Sequence, residues 1–128
     1  MRVGLLEDDV AIQEMLLLVL QDEGYAVVTY ADAENCLEAL GVRSQGEVPI
    51  PVDLMIVDWR LNGSVSGTEV IRQIRSVPRL DTLPIILTTA ATFTDTDELR
   101  NLQVTLLEKP FALDDITTLI REMTHSHS

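Results

Sequence analysis

The sequence predicts an α/β fold, a five-stranded parallel sheet with helices on both faces. Three observations carry this. Five short apolar runs, Val3–Leu6, Ala26–Tyr30, Val52–Val57, Ile85–Thr89 and Val104–Leu107, are each four to six residues long and rich in Val, Ile or Leu. That is the length and composition of strands buried on both faces. Segments with helical spacing of apolar residues separate the runs and follow the last one. Strands alternating with helices of this size imply right-handed crossovers, and therefore parallel strands.

The elements follow in order. A first helix is expected from about Val10 to Glu23, with Asp9 as N-cap, Ile12, Leu16 and Leu20 four apart, and Gly24 as the stop. A second, about Ala33–Leu40, ends at Gly41. The third opens on Ser66-Gly67-Thr68-Glu69, a capping-box pattern, and continues through Val70, Ile71, Ile74 and Val77 until Pro78. A fourth starts near Asp95, where only Leu99 and Leu102 are apolar, so it is expected to be short and weakly held. The fifth runs from about Leu113 to Met123, with Ile116, Leu119, Ile120 and Met123 turned inward. Residues 41–51 read as a loop. One domain is expected over 1–123, followed by a polar, disordered tail, 124–128.

Composition narrows the function classes. Its 46% hydrophobic residues place the chain among globular proteins. The longest apolar run, Met15–Leu20, is far too short to span a membrane. Twenty-one acids face nine bases, for a net charge of −12, and residues 1–38 hold nine acids against the single base Arg2. A basic nucleic-acid footprint is absent, so no direct nucleic-acid contact is expected. The early acids Glu7, Asp8 and Asp9 read against a signal peptide. The one cysteine, Cys36, cannot form an internal disulfide. Both features fit a cytoplasmic location.

The polar residues that matter fall at strand ends. In such a fold ligands bind beyond the carboxyl ends of the strands. The first strand runs into Glu7-Asp8-Asp9, the third into Asp58, the fourth into Thr88-Thr89, and the fifth into Glu108-Lys109-Pro110, with Lys109 the only lysine of the chain. Crowded carboxylates raise one another's pKa or recruit a cation. Hard oxygen ligands suit Mg²⁺, which takes one or two carboxylates plus water and phosphate. A carboxylate beside Mg²⁺ can attack phosphorus, and a metal with a lysine neutralises the charge that moves in phosphoryl transfer. Asp9 reads differently, as a helix cap. Cys36 reads as a packed helix residue.

With these pieces in place the chain resembles the receiver domain of bacterial response regulators over residues 1–123. The matching segments are Glu7-Asp8-Asp9, Asp58 after Val52-Asp53-Leu54-Met55-Ile56-Val57, Pro84-Ile85-Ile86-Leu87-Thr88-Thr89-Ala90, and Lys109-Pro110-Phe111. The resemblance implies a flavodoxin-like fold with strand order 2-1-3-4-5. It implies Asp58 as phosphoacceptor, with Glu7, Asp8, Asp58 and the Arg60 backbone carbonyl holding Mg²⁺ or Mn²⁺. Thr89 would be the switch hydroxyl and Lys109 the phosphate partner. The donor would be a histidine kinase or phosphotransfer domain, and a downstream output partner or domain would read the face made by the fourth helix, fifth strand and fifth helix. The resemblance also implies a signalling domain, not an enzyme, that catalyses its own phosphoryl transfer and loses the group slowly.

Some positions depart from the family pattern. Asn62 stands where proline is common, in a loop that is one residue long relative to that pattern. Leu106, three before Lys109, replaces the usual Tyr or Phe of the switch. Two rival patterns are weaker. Asp58 to Glu69 has Asp, Asn, Gly and Glu at EF-hand positions 1, 5, 6 and 12, but Arg60 stands at position 3 and no helix is expected before it. An aspartyl-nucleophile phosphatase needs D-x-D at a strand end, and the second place is again Arg60.

Overall fold

The structure, a computed structural model, describes residues 1–42, 49–61, 66–89, 100–108 and 111–125. Five strands alternate with helices: β1 (Arg2–Leu6), α1 (Val10–Asp22), β2 (Ala26–Tyr30), α2 (Ala33–Ala39), β3 (Leu54–Asp58), α3 (Gly67–Arg75), a 3₁₀ turn (Pro78–Leu80), β4 (Ile85–Thr89), β5 (Thr105–Glu108) and the C-terminal helix α4 (Leu113–His125). The sheet is parallel throughout, in the order β2-β1-β3-β4-β5. Both the fold class and the strand order expected from the sequence are met.

Alternation along the strands divides the core in two. Val3, Leu5, Leu54, Ile56 and Ile86 point to one side, where Leu16 and Leu20 of α1 and Ile116 and Ile120 of α4 cover them. Leu6, Met55, Val57, Ile85 and Leu87 point to the other, against Cys36 and Leu37 of α2 and Val70, Ile71 and Ile74 of α3. Each helix thus buries one apolar stripe against the sheet. Among the described residues no helix is long and apolar enough to cross a membrane.

Local chemistry sets the boundaries. Asp9 caps α1, its Oδ1 accepting from the N–H groups of Ala11 and Ile12 at 3.0 and 3.2 Å. Asp32 caps α2 by accepting from Asn35 N–H at 2.8 Å. Gly24 and Gly41 follow α1 and α2 in the left-handed region, with φ of +91° and +73°, as helix-stopping glycines do. Ser66 Oγ accepts from Glu69 N–H at 3.2 Å, which is one half of the expected capping box.

Three boundaries differ from the sequence reading by two residues, and others by one. β3 starts at Leu54, not Val52, because Asp53 turns aside: its N–H donates to the Arg2 carbonyl, and its carboxylate accepts from the Arg2 N–H at 2.8 Å. α3 stops at Arg75, short of Val77. Val77 is extended, with φ −99° and ψ 116°, the conformation that a following proline enforces. Pro78 then opens the 3₁₀ turn. α4 continues to His125, past Met123, with the Thr124 hydroxyl bonded back to the Ile120 carbonyl at 2.9 Å. Residues 95–99 of the expected fourth helix lie outside the described residues, as do 126–128 of the tail; Arg100 and Asn101 are helical.

Candidate functional site

Strand order brings the expected site residues to one edge. Glu7 and Asp8 follow β1, Asp58 ends β3, Thr89 ends β4, and Glu108 ends β5 immediately before Lys109. These strands are neighbours, with Leu6 opposite Val57, Asp58 opposite Thr88, and Thr89 opposite Glu108. Adjacent strands lie about 4.8 Å apart. Four consecutive strands therefore deliver two or more carboxylates, two hydroxyls and the start of the Lys109 segment to one carboxyl-end rim. Lys109 itself lies outside the described residues.

Burial separates the acids by role. Asp58 is 6% exposed and Glu7 4%. Asp8 is half-buried, while Asp9 is exposed and engaged as the α1 cap. Both carboxylates lose hydration in the fold, a cost that a bound cation or positive group offsets. The donor set, carboxylate oxygens with backbone carbonyls nearby, fits Mg²⁺. Among the described residues no three acidic, imidazole or thiol groups gather into a ready-made metal cage. Mg²⁺ does not require one, since it keeps several waters and uses only one or two carboxylates.

The backbone around Asp58 is held from both sides. Trp59 N–H donates to the Thr88 carbonyl at 2.8 Å, which carries the β3–β4 ladder past the strand end. Arg60 N–H points at Asp58 Oδ1 at 3.4 Å, and the Arg60 guanidinium sits 6.0 Å from the Trp59 ring centre. Gly67 N–H donates to the Trp59 carbonyl at 2.8 Å, pinning the first turn of α3 against the same backbone. Gly67 comes so close that a side chain there has no room: a Cβ would lie 2.2 Å from the Asp58 carbonyl oxygen. The sequence reading used Gly67 only as part of the capping box. Its role under Asp58 is a long-range packing fact with no local sequence signal beyond the glycine itself.

Thr88 and Thr89 are both buried, at 2% and 1% exposure, and alternation sends them to opposite sides of the sheet. Leu106 lies opposite Leu87 and packs, half-buried, against the core on the α2–α3 side. Cys36 is fully buried on α2, and burial pushes its thiol up to about 12. The EF-hand pattern does not survive the fold, because the segment leading into Asp58 is strand β3, not the required helix. Residues 62–65, which carry the Asn62 departure, lie outside the described residues.

A doubly wound sheet with an acidic carboxyl-end rim defines a class, and comparison with known proteins assigns it. Residues 3–121 match the response regulator receiver domain family, and the chain belongs to that family. The phosphate regulon transcriptional regulatory protein PhoB of Rhizobium meliloti is 30% identical over 125 residues, which cover 95% of this chain and 51% of PhoB. The transcriptional regulatory protein AfsQ1 of Streptomyces coelicolor is 44% identical over 86 residues, covering 67% of this chain and 33% of AfsQ1. The chain thus spans about half or less of these relatives' length. Among solved structures, the chemotaxis protein CheY4 of Vibrio cholerae superposes with a TM-score of 0.78 at 25% identity, covering 95% of this chain and 97% of CheY4. The protein is therefore a receiver domain of the two-component signalling type.

Proposed function

We propose that the domain is a phosphoacceptor switch in which Asp58 takes a phosphoryl group from a histidine kinase or a phosphotransfer domain, with Mg²⁺ or Mn²⁺ present. The observation that carries this reading is a buried Asp58 ending the central strand, flanked by Glu7 and Asp8 on one side and Thr88 and Thr89 on the other. An Asp58 carboxylate oxygen attacks phosphorus. The O–P bond forms as the donor's N–P bond breaks, and the imidazole leaves with the bonding pair and takes up a proton. Held by Glu7, Asp8, Asp58 and the Arg60 carbonyl, the divalent cation would neutralise charge on the phosphoryl oxygens. The Thr89 hydroxyl donates to one of those oxygens and Lys109 pairs with another. Water slowly hydrolyses the acyl phosphate and restores the carboxylate, so the domain signals and does not turn over a substrate.

The occupied site rearranges the face made by the fourth helix, β5 and α4, with Leu106 acting through packing. An output partner or a further domain reads that face. PhoB and AfsQ1 are transcriptional regulatory proteins, but this domain, at net charge −12, would itself make no nucleic-acid contact. On α1, directly after the acidic turn, Val10 and Leu18 are 63% and 68% exposed and Met15 lies between them. That apolar stripe, beside Glu14 and Asp22, is the surface on which a phosphodonor with a basic-rimmed apolar helix would dock. The domain would act in the cytoplasm.

The test is labelling with a small phosphoryl donor and Mg²⁺. One base-labile phosphoryl group should be added to the wild type and none to Asp58→Asn. Equal labelling of the two would sink the assignment.

A further inference from the structure

Arg75, the last residue of α3, ties together three parts of the chain. Its Nε–H donates to the Leu102 carbonyl at 2.7 Å, one terminal nitrogen donates to the Leu80 carbonyl at 2.7 Å, and the other donates to the Gln103 carbonyl at 3.2 Å. The first and third acceptors are 27 and 28 positions away in sequence, immediately ahead of β5. The guanidinium is half-buried, and Asp81 and these carbonyls counter only part of its loss of hydration.

The segment it holds is strained and thinly supported. Gln103 has φ +57°, a conformation that costs a non-glycine residue. Such a residue persists only where its surroundings over-determine it. Here the Gln103 N–H donates to the Arg100 carbonyl at 3.1 Å while its own carbonyl takes the Arg75 bond. Beside the clamp a groove of about 220 Å³ opens, lined by Arg75, Asp81, Thr82, Asn101 and Gln103, so close packing alone does not fix this backbone. β5 has only four residues, none fully buried, and among the described strands it pairs with β4 alone.

We infer that Arg75 is the anchor of β5: it fixes the end of the strand remote from Lys109, so that displacement begun at the phosphorylation site tilts β5 about Leu102–Gln103 and does not slide it. The tilting half rests on the function proposed above; the anchoring half does not. Arg75 lies at the opposite edge of the sheet from Asp58, because α3 begins against the Asp58 backbone and runs back toward the strand starts. Its role is positional, and the fork geometry of a guanidinium is what reaches three carbonyls at once. A lysine ammonium keeps the charge but not the fork.

The experiment is amide hydrogen exchange on the whole chain, at rest and with Mg²⁺ plus beryllium fluoride, for the wild type, Arg75→Gln and Arg75→Lys. At rest, amides of residues 102–106 should exchange about tenfold faster in both variants, the response to losing one such hydrogen bond. Adding Gln103→Asn to Arg75→Gln should recover part of that protection, because Asn accepts the left-handed backbone more readily. A merely space-filling Arg75 gives no recovery. With beryllium fluoride, exchange changes in the wild type should stay at Leu107 and Glu108, and in Arg75→Gln should reach Val104. Unchanged resting exchange or an absent rescue would overturn the anchor, and wild-type changes spread evenly along β5 would overturn the tilt. If resting exchange responds as expected but the wild type takes up no beryllium fluoride, the anchor stands, and the tilt falls together with the phosphoacceptor reading.

Discussion

The α-carbon of Gly67 sits against the carbonyl of Asp58 so closely that a Cβ would be 2.2 Å from that oxygen and 2.8 Å from the Trp59 Cα. Backbone cannot step aside as a flexible side chain would. Gly67→Ala should therefore destabilise the fold by about 1–3 kcal/mol, the usual range for overpacking. Helix propensity alone would make alanine the better residue by about 1 kcal/mol, so the sign of the change decides between the two effects. Urea unfolding of the variant reads it directly. A neutral or raised midpoint would mean that α3 moves off Asp58 without cost. If the close approach also sets the Asp58 geometry, phosphoryl labelling should slow in the same variant.

Asp58→Asn should stabilise the metal-free protein. Asp58 ends β3 and Glu7 follows β1; both are buried, and removing one charge lowers the cost of burying the pair. Mg²⁺ should in turn stabilise the wild type by about 2.7 kcal/mol at a hundredfold excess over its dissociation constant. Thermal melts with and without Mg²⁺ test both statements. A lower melting temperature for Asp58→Asn without metal, together with a wild type that ignores Mg²⁺, contradicts them.

Cys36 should resist alkylation in the folded protein at pH 8, since burial disfavours its thiolate. The same shift makes stability depend on pH. The folded thiol holds its proton up to about 12, while the unfolded one loses it near 9.0. The contribution is thus fully present below pH 9 and is lost as pH climbs from there toward 12, at up to about 1.4 kcal/mol per pH unit. Tyr30, raised by burial and by the nearby Cys36, adds in the same direction. Unfolding measured at pH 8 and pH 10.5 should show a steeper decline in the wild type than in Cys36→Ala. Equal slopes would remove Cys36 from the account.

Trp59 is the only tryptophan and follows Asp58 directly, with the Arg60 guanidinium 6.0 Å from its ring centre. Charge arriving at Asp58 alters the field at that ring. Intrinsic fluorescence should change on adding Mg²⁺ and change again with beryllium fluoride, the second step requiring Thr89 and Lys109. A trace that stays flat through both additions while Asp58 is phosphorylated would place the indole beyond the reach of the site.

Most of the fold could be read from local patterns because each strand is a dense apolar run and each early helix has a real cap. Asp9 and Ser66 do what their spacing announces, and Asp32 adds a cap to α2 that the sequence reading did not name. The reading slipped where the apolar pattern ran on past the residue that ends the element. Val52 looks like strand, but the Arg2–Asp53 pairing ends the regular ladder at Leu54. Val77 continues the apolar stripe of α3, but Pro78 forces it extended. The placement of Glu7, Asp58 and Thr89 was legible because strand ends in a parallel sheet share one rim. Gly67 and Arg75 were not, since their importance lies in what they meet across the fold: the Asp58 carbonyl in one case, the carbonyls ahead of β5 in the other.

The reciprocal Arg2–Asp53 pairing also bears on how the molecule can be handled. It fastens the first residues at the edge where the strands begin. α4 comes back toward that edge as well, because Arg121, in its last turns, reaches Glu23 at the end of α1 at 3.6 Å. A tether, tag or fluorescent fusion attached ahead of Arg2 therefore hangs from the side away from Asp58. A sensor surface carrying the protein by its first residue would present the acidic rim outward to whatever flows past it.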